Sequence, residues 1–153
     1  MRPDLLLALN AAATLALVGL IWVVQLVIYP QFADVAAGNR GGFGIYHERY
    51  SRRITWLVGP LMGTELATGA CLFAARPAAV SAGEATLGLA LIAFNALSTG
   101  LWFAPLHARL GAGFDEARHA SLVRTNWART AAWTARGALV AVWIARSLDA
   151  AAR

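Results

Sequence analysis

Residues 5–28 carry no charged side chain over 24 consecutive positions, a run that would measure roughly 36 Å as an α-helix. The hydrocarbon core of a bilayer is about 30 Å thick, so the run is long enough to cross it. Residues 54–75 repeat the pattern with Glu65 as the one interruption, residues 85–106 are free of charge, and residues 130–145 are broken only by Arg136. A chain of 153 residues that is 59% hydrophobic and 14% charged is too apolar for an ordinary soluble domain. These observations predict one all-α domain over 1–153, an integral membrane four-helix antiparallel bundle with spans near 5–28, 54–75, 85–106 and 120–146. The last is expected to begin early, as a helix emerging around Asp115. Short connections make neighbouring helices antiparallel and their packing left-handed. A secretory h-region is about 7 to 15 residues, far shorter than the first run, which therefore reads as an anchor. Cys71 is the sole cysteine, so an internal disulfide and a cysteine-based metal site are both excluded.

Charge placement predicts orientation. One side carries Arg40, Arg49, Arg52, Arg53, Arg109, Arg118, Arg124 and Arg129; the other carries Arg2, Arg76, Arg146 and Arg153. The positive-inside rule puts the richer side in the cytoplasm of a bacterium, in its inner membrane, with both termini outside. Trp22, Trp56, Trp102, Trp127 and Trp133 fall toward that same side, as an interfacial aromatic belt would. The sequence pI of about 10.7 follows from the arginines that set topology and face anionic lipid, with no lysine-rich run and no recognition motif for nucleic acid. The bilayer is the expected acidic partner.

Three polar residues interrupt the apolar runs at one depth. Glu65, Asn95 and Arg136 each lie roughly 15–18 Å from the nearer helix end by residue count, and Thr14 joins them if its face points inward. Ionisable groups at that depth are costly and mark a functional site by default. The arrangement predicts a buried contact between Glu65 and Arg136, hydrogen-bonded by Asn95. A device that fixes helix pairing explains it equally well.

Toward the arginine-rich side the polar residues are denser. Asn126, Arg129, Thr130, Trp133 and Arg136 follow helical spacing and predict one stripe of hydrogen-bonding groups facing the bundle. Gln25, with Trp22 and Tyr29, continues it on the first span, and Arg53, with Trp56 and Thr64, on the second. Together they outline a polar pocket open to that interface, with Gln25, Arg53, Asn95, Asn126, Arg129, Trp133 and Arg136 as candidate binding groups. His47, in the connecting segment YHERYSRR, His107 after Pro105, and His119 lie at its mouth. With Glu65 they are the candidate catalytic residues, a histidine being suited to move protons near neutral pH. His47, His107, Asp115 and His119, with Glu48 or Glu116, are weaker candidates for a metal site or an axial haem ligand. No H-E-x-x-H or CxxC spacing is present, so metal and haem are not favoured.

The segments VVQLVIYPQF, YHERYSRRITWLVGPLMGTELATG and PLHARLGAGFDEARHASLVRTNWARTAAWTAR resemble a widespread group of small four-span bacterial membrane proteins of unknown function. By size and span count the chain also resembles, more distantly, anthrone-oxygenase-like membrane proteins, which implies at most an oxygen-dependent change to a lipophilic aromatic substrate and assigns no catalytic residue. Two functions are expected from the residues. One is a small membrane enzyme or cofactor-binding protein acting on a lipophilic molecule; the other is a non-catalytic accessory or assembly subunit of a membrane complex, binding lipid or a protein partner.

Overall fold

A computed structural model describes residues 3–152, which are almost wholly helical and contain no strand. Four long helices account for them. α1 runs through Pro3–Val23, a π turn at Val24–Ile28 and Tyr29–Gly38; α2 is Phe43–Ala74. α3 runs through Ala82–Ser98, a π turn at Thr99–Phe103 and Ala104–Gly111, and α4 is Glu116–Ala151. Two of the starts are capped by side chains. Ser81 and Glu84 form a reciprocal capping box at α3, with bonds of 3.3 and 3.0 Å. Asp115 accepts the Arg118 N–H at 2.8 Å and caps α4.

The helices outrun the apolar stretches that announced them. α1 continues ten residues past Ile28, and α2 begins at Phe43 rather than near residue 54. His47 therefore stands on a helix and not in a loop. Beyond Gly44 the segment up to Ile54 contains neither glycine nor proline, so the helix can run unbroken toward the second apolar stretch once Gly41 and Gly42 are passed.

Both π turns precede a proline by one residue. The Tyr29 N–H reaches back to the Val24 carbonyl and Pro30 follows; the Ala104 N–H reaches back to the Thr99 carbonyl and Pro105 follows. Proline supplies no N–H and crowds the carbonyl four residues earlier. Widening the preceding turn relieves that clash without ending the helix, and it rotates every later side chain by about 100°. Tyr29, Phe32 and His107 take their directions from this rotation.

Each helix packs against its sequence neighbours, and α4 closes on α1. Contacts such as Thr14 with Glu65 and Phe32 with Phe43 run α1 against α2 in opposite senses, and Gln25 with Asn126 does the same for α1 and α4. Asp4–Gly38, Phe43–Ala74 and Ala82–Gly111 are long and apolar enough to cross a membrane. α4, the fourth expected span, does not qualify by composition. Six of its polar-headed residues lie inside: Asn126, Arg129, Thr130, Trp133, Arg136 and Trp143 are buried along one stripe, together with Leu122, Ala132, Gly137 and Val140, whereas Arg118, Arg124 and Arg146 are exposed.

Close helix approach uses missing side chains. At Gly44 a Cβ would come 2.7 Å from the Gly111 carbonyl oxygen, backbone against backbone, where α2 meets the end of α3. Gly63, on the same helix, faces open space. Gly44→Ala is expected to cost about 1–3 kcal/mol through overpacking, whereas Gly63→Ala gains roughly 0.5–1 kcal/mol of helix propensity. Thermal melts followed by circular dichroism in mild detergent check the pair; equal shifts would mean that the α2–α3 contact is loose.

Candidate functional site

Two polar assemblies lie inside the ring, one above the other. The deeper one centres on Asn10. Its Nδ2 donates to the Thr68 hydroxyl at 2.9 Å and to the Glu65 backbone carbonyl at 3.2 Å, while its Oδ1 accepts from the Arg136 Nη2. The Glu65 carboxylate accepts from the Thr14 hydroxyl at 2.8 Å and from the Trp133 indole N–H at 3.1 Å. The Arg136 guanidinium lies 4.8 Å from the Trp143 ring centre, and the Trp143 ring packs closely on Gly88 of α3, where a Cβ would stand 3.1 Å from the Trp143 Cη2. Glu65, Arg136, Asn10 and Thr14 are all essentially inaccessible.

This corrects the expected ion pair in two respects. Among the described residues, Glu65 and Arg136 form no direct salt bridge, because the Asn10 amide stands between them. Asn95 does share the depth and is buried, yet neither of its amide atoms finds a partner among the described residues. An amide offers both donors and an acceptor, so Asn10 can hold a guanidinium and a helix carbonyl together, a role that counting depths assigned to the wrong asparagine. Thr14 does point inward, as the expectation required.

The upper assembly surrounds a cavity of about 580 Å³. Leu17, Leu20, Ile21, Val24, Val58, Met62, Phe103 and Trp133 give it apolar walls, and Tyr29, His47, Tyr50, Ser51, His107 and Arg129 supply polar groups. Its lining residues on α1 and α4 are buried or nearly so, whereas Glu48, Thr55 and Gly59 of α2 and Ala104 and Ala108 of α3 are exposed. The cavity therefore opens sideways, between α2 and α3.

A hydrogen-bonded string runs along its wall. The Tyr29 hydroxyl is 2.9 Å from the His107 Nε2, the His107 Nδ1 is 3.1 Å from the His47 Nε2, and the Ser51 hydroxyl stands at 3.5 Å from the His47 Nδ1, the outer limit of such a bond. The two imidazoles are stacked, with centroids 5.1 Å apart and planes at 26°. Phe32 and Phe43 pack on His47 at 5.0 and 5.4 Å. His107 is bonded through both ring nitrogens, and a neutral imidazole has one donor and one acceptor. Setting the direction of one bond therefore sets the next. If Ser51 donates, the string ends in a Tyr29 O–H free to donate; if Tyr29 donates inward, a Ser51 O–H is released. A string of this kind can pass a proton from one end to the other.

Arg129 is fixed from behind. The Val123 carbonyl accepts from Gln25, whose Oε1 accepts from Asn126 at 2.8 Å, and the Asn126 Oδ1 accepts from the Arg129 Nη1 at 3.1 Å. The guanidinium lies 4.4 Å from the Phe103 ring centre and 5.0 Å from that of Trp133.

The sequence-predicted residues therefore divide. His47, His107, Arg129 and Trp133 line the cavity; Gln25 and Asn126 orient Arg129; Glu65, Asn95 and Arg136 belong to the deeper layer. Arg53 is exposed and lies beside a separate surface hollow with Arg49 and Tyr46, outside the cavity. The register of α2 puts it there, with Trp56 and Thr64, both also exposed. His119 bonds the Tyr29 carbonyl at 2.7 Å, and Asp115 is engaged as a cap. His47, His107, Asp115 and His119 do not converge, and among the described residues no group of three or more His, Cys, Asp or Glu side chains could hold a metal ion. Asn10 and Ser51 were not singled out from the sequence. For Asn10 a signal existed, since Asn10 and Thr14 are four residues apart in an otherwise apolar run and share a face. Comparison with protein-family profiles, with characterised proteins and with solved structures finds no match to this chain.

The Asn10 arrangement generates an ordering of coupling energies. Asn10→Leu strands the Arg136 charge and is expected to cost about 3 kcal/mol. Double-mutant cycles on thermal stability should give Asn10–Arg136 a coupling of about 1–3 kcal/mol, larger than that of Glu65–Arg136. The reverse order would mean that the carboxylate is the direct partner.

Proposed function

We propose that this chain is an integral membrane four-helix bundle that binds a lipophilic small molecule in the lateral cavity and exchanges a proton with it through Tyr29, His107 and His47. The observation that carries the reading is the hydrogen-bonded Tyr29–His107–His47 string on the wall of an otherwise apolar cavity. A largely apolar pocket with a few convergent polar groups is the usual form of a small-molecule site, and its size falls within the common range of about 300–1,000 Å³. A hydroxyl or carbonyl oxygen placed at Tyr29 meets either a donor or an acceptor, according to the direction of the string. That is the requirement for a general acid–base group serving a bound substrate.

The membrane setting rests on surface chemistry. Three helices have the length and apolarity to span, and the outward faces carry Trp56, Leu101, Leu97 and Leu26, with Trp56 at 79% and Leu101 at 76% exposure. Such surfaces suit lipid rather than water. α4 completes the bundle because its arginines at 129 and 136 are turned inward, away from the lipid. Trp22, Trp56, Trp102 and Trp127 are exposed and serve as the interfacial belt; Trp133 and Trp143 are buried and do not. The arginine-rich end faces the cytoplasm of a bacterial inner membrane and the termini face outward. An opening between α2 and α3 then faces the acyl chains, where a lipophilic molecule is already dissolved.

Equilibrium binding of a radiolabelled long-chain alcohol to the protein in lipid nanodiscs tests the reading. Saturable binding is expected, reduced at least tenfold in Ala104→Phe, which fills the opening. Tyr29→Phe should weaken it several-fold, the loss of one hydrogen bond worth about 0.5–1.5 kcal/mol. Binding that never saturates, or that ignores Ala104→Phe, would return the chain to the accessory-subunit reading.

A further inference from the structure

The interior is unbalanced in charge. Among the described residues, the buried side chains include two guanidiniums, Arg129 and Arg136, and one carboxylate, Glu65. Glu65 belongs to the deeper layer, where its two oxygens are engaged by Thr14 and Trp133. Arg129 is 6% exposed and has no carboxylate at ion-pair distance among the described residues. Its partners are all neutral, the Asn126 oxygen, the Tyr29 hydroxyl and the faces of Phe103 and Trp133, and its Nε is buried with no acceptor. The same guanidinium lines the cavity. An uncompensated buried charge costs several kcal/mol, and aromatic faces return only part of that. Arg129 is nonetheless held by the Gln25–Asn126 string in one place, as a binding group is and a tolerated defect is not.

We infer that the cavity's ligand is an anion: a single-chain amphiphile ending in one carboxylate or phenolate oxygen, whose charged end pairs with Arg129 and whose apolar body leaves toward lipid between α2 and α3. The inference rests on the lipophile-binding reading and adds the charge of the head group to it. One guanidinium matches one anionic group, and a planar carboxylate can take two parallel N–H bonds from it. Tyr29, with His47 and His107 behind it, lies on the same wall and offers a further hydrogen bond to the head. The apolar walls from Leu17 to Met62 receive the first part of the chain.

The test compares oleate with oleyl alcohol, equal in chain and different in charge, on wild-type protein and on Arg129→Gln and Arg129→Lys in nanodiscs of uncharged lipid. In the wild type oleate should bind at least tenfold more tightly than the alcohol. Arg129→Gln should abolish that preference while leaving alcohol binding within a few-fold, and Arg129→Lys should keep part of it. Unchanged circular dichroism and gel-filtration behaviour identify variants that retain the fold, and Arg129→Lys carries the comparison if Arg129→Gln does not. Equal binding of the two ligands to wild type would overturn the anion assignment and leave the lipophile site standing; binding of neither would remove both. Phosphatidylglycerol displacing oleate at equal mole fraction would overturn the single-chain assignment in favour of an anionic phospholipid.

Discussion

Arg136 is buried in the interior of the bundle, and the way it is satisfied organises the ring of helices. Its Nη2 reaches the Asn10 amide oxygen; the Asn10 amide nitrogen reaches Thr68 and the Glu65 carbonyl; the Glu65 side chain reaches Thr14 and Trp133. Three helices are thereby tied at one level, and the fourth contributes Gly88, against which the Trp143 ring beside the guanidinium packs closely. Apolar packing alone does not fix helix register between lipid-compatible surfaces, since lipid tails are as apolar as leucine. Directional bonds to a buried charge do. Sliding α1 by one turn would strand Asn10, Thr14, Glu65 and Arg136 together.

The layer also determines where a cavity can be. Trp133 bonds Glu65 on one side and lines the cavity on the other, so its indole stands between the deeper layer and the cavity. Above it, the two π turns and their prolines re-aim Tyr29 and His107, which meet on the wall. His47 reaches them because α2 starts early, at Phe43, and its ring is then enclosed by Phe32 and Phe43. The polar groups of the cavity therefore come from backbone irregularity in α1 and α3 and from the extra turns at the start of α2. This is where π turns commonly occur, at sites of function.

Much of this was legible in the residues. Helical period alone placed Asn126, Arg129, Thr130, Trp133 and Arg136 on one inward stripe, and depth counting brought Glu65, Thr14 and Arg136 to one layer. What could not be read was pairing. Asn95 matches the counted depth of Arg136 better than Asn10, which follows Asp4 by only six residues, and only the packing of the helices decides that Asn10 meets Arg136. Arg53 fits the periodic pattern of α2 but lies on its outer face, because the pattern fixes spacing and not which side of the helix meets the ring. The histidines were expected at one mouth; His47 and His107 do meet, while His119 turns to the Tyr29 carbonyl. The π turns that produce those meetings leave no mark in the sequence beyond a proline one residue later.

A lipophilic molecule in the space between α2 and α3 is the central requirement of the proposed function. Crystals grown from a lipid phase containing a long-chain alcohol brominated at mid-chain, measured at the bromine absorption edge, locate that chain directly. Bromine signal among Ile54, Met62 and Phe103, beside the Tyr29–His107–His47 string, is the predicted result. Signal confined to the outer faces around Trp56 and Leu101, with the cavity wall undisturbed, would contradict it.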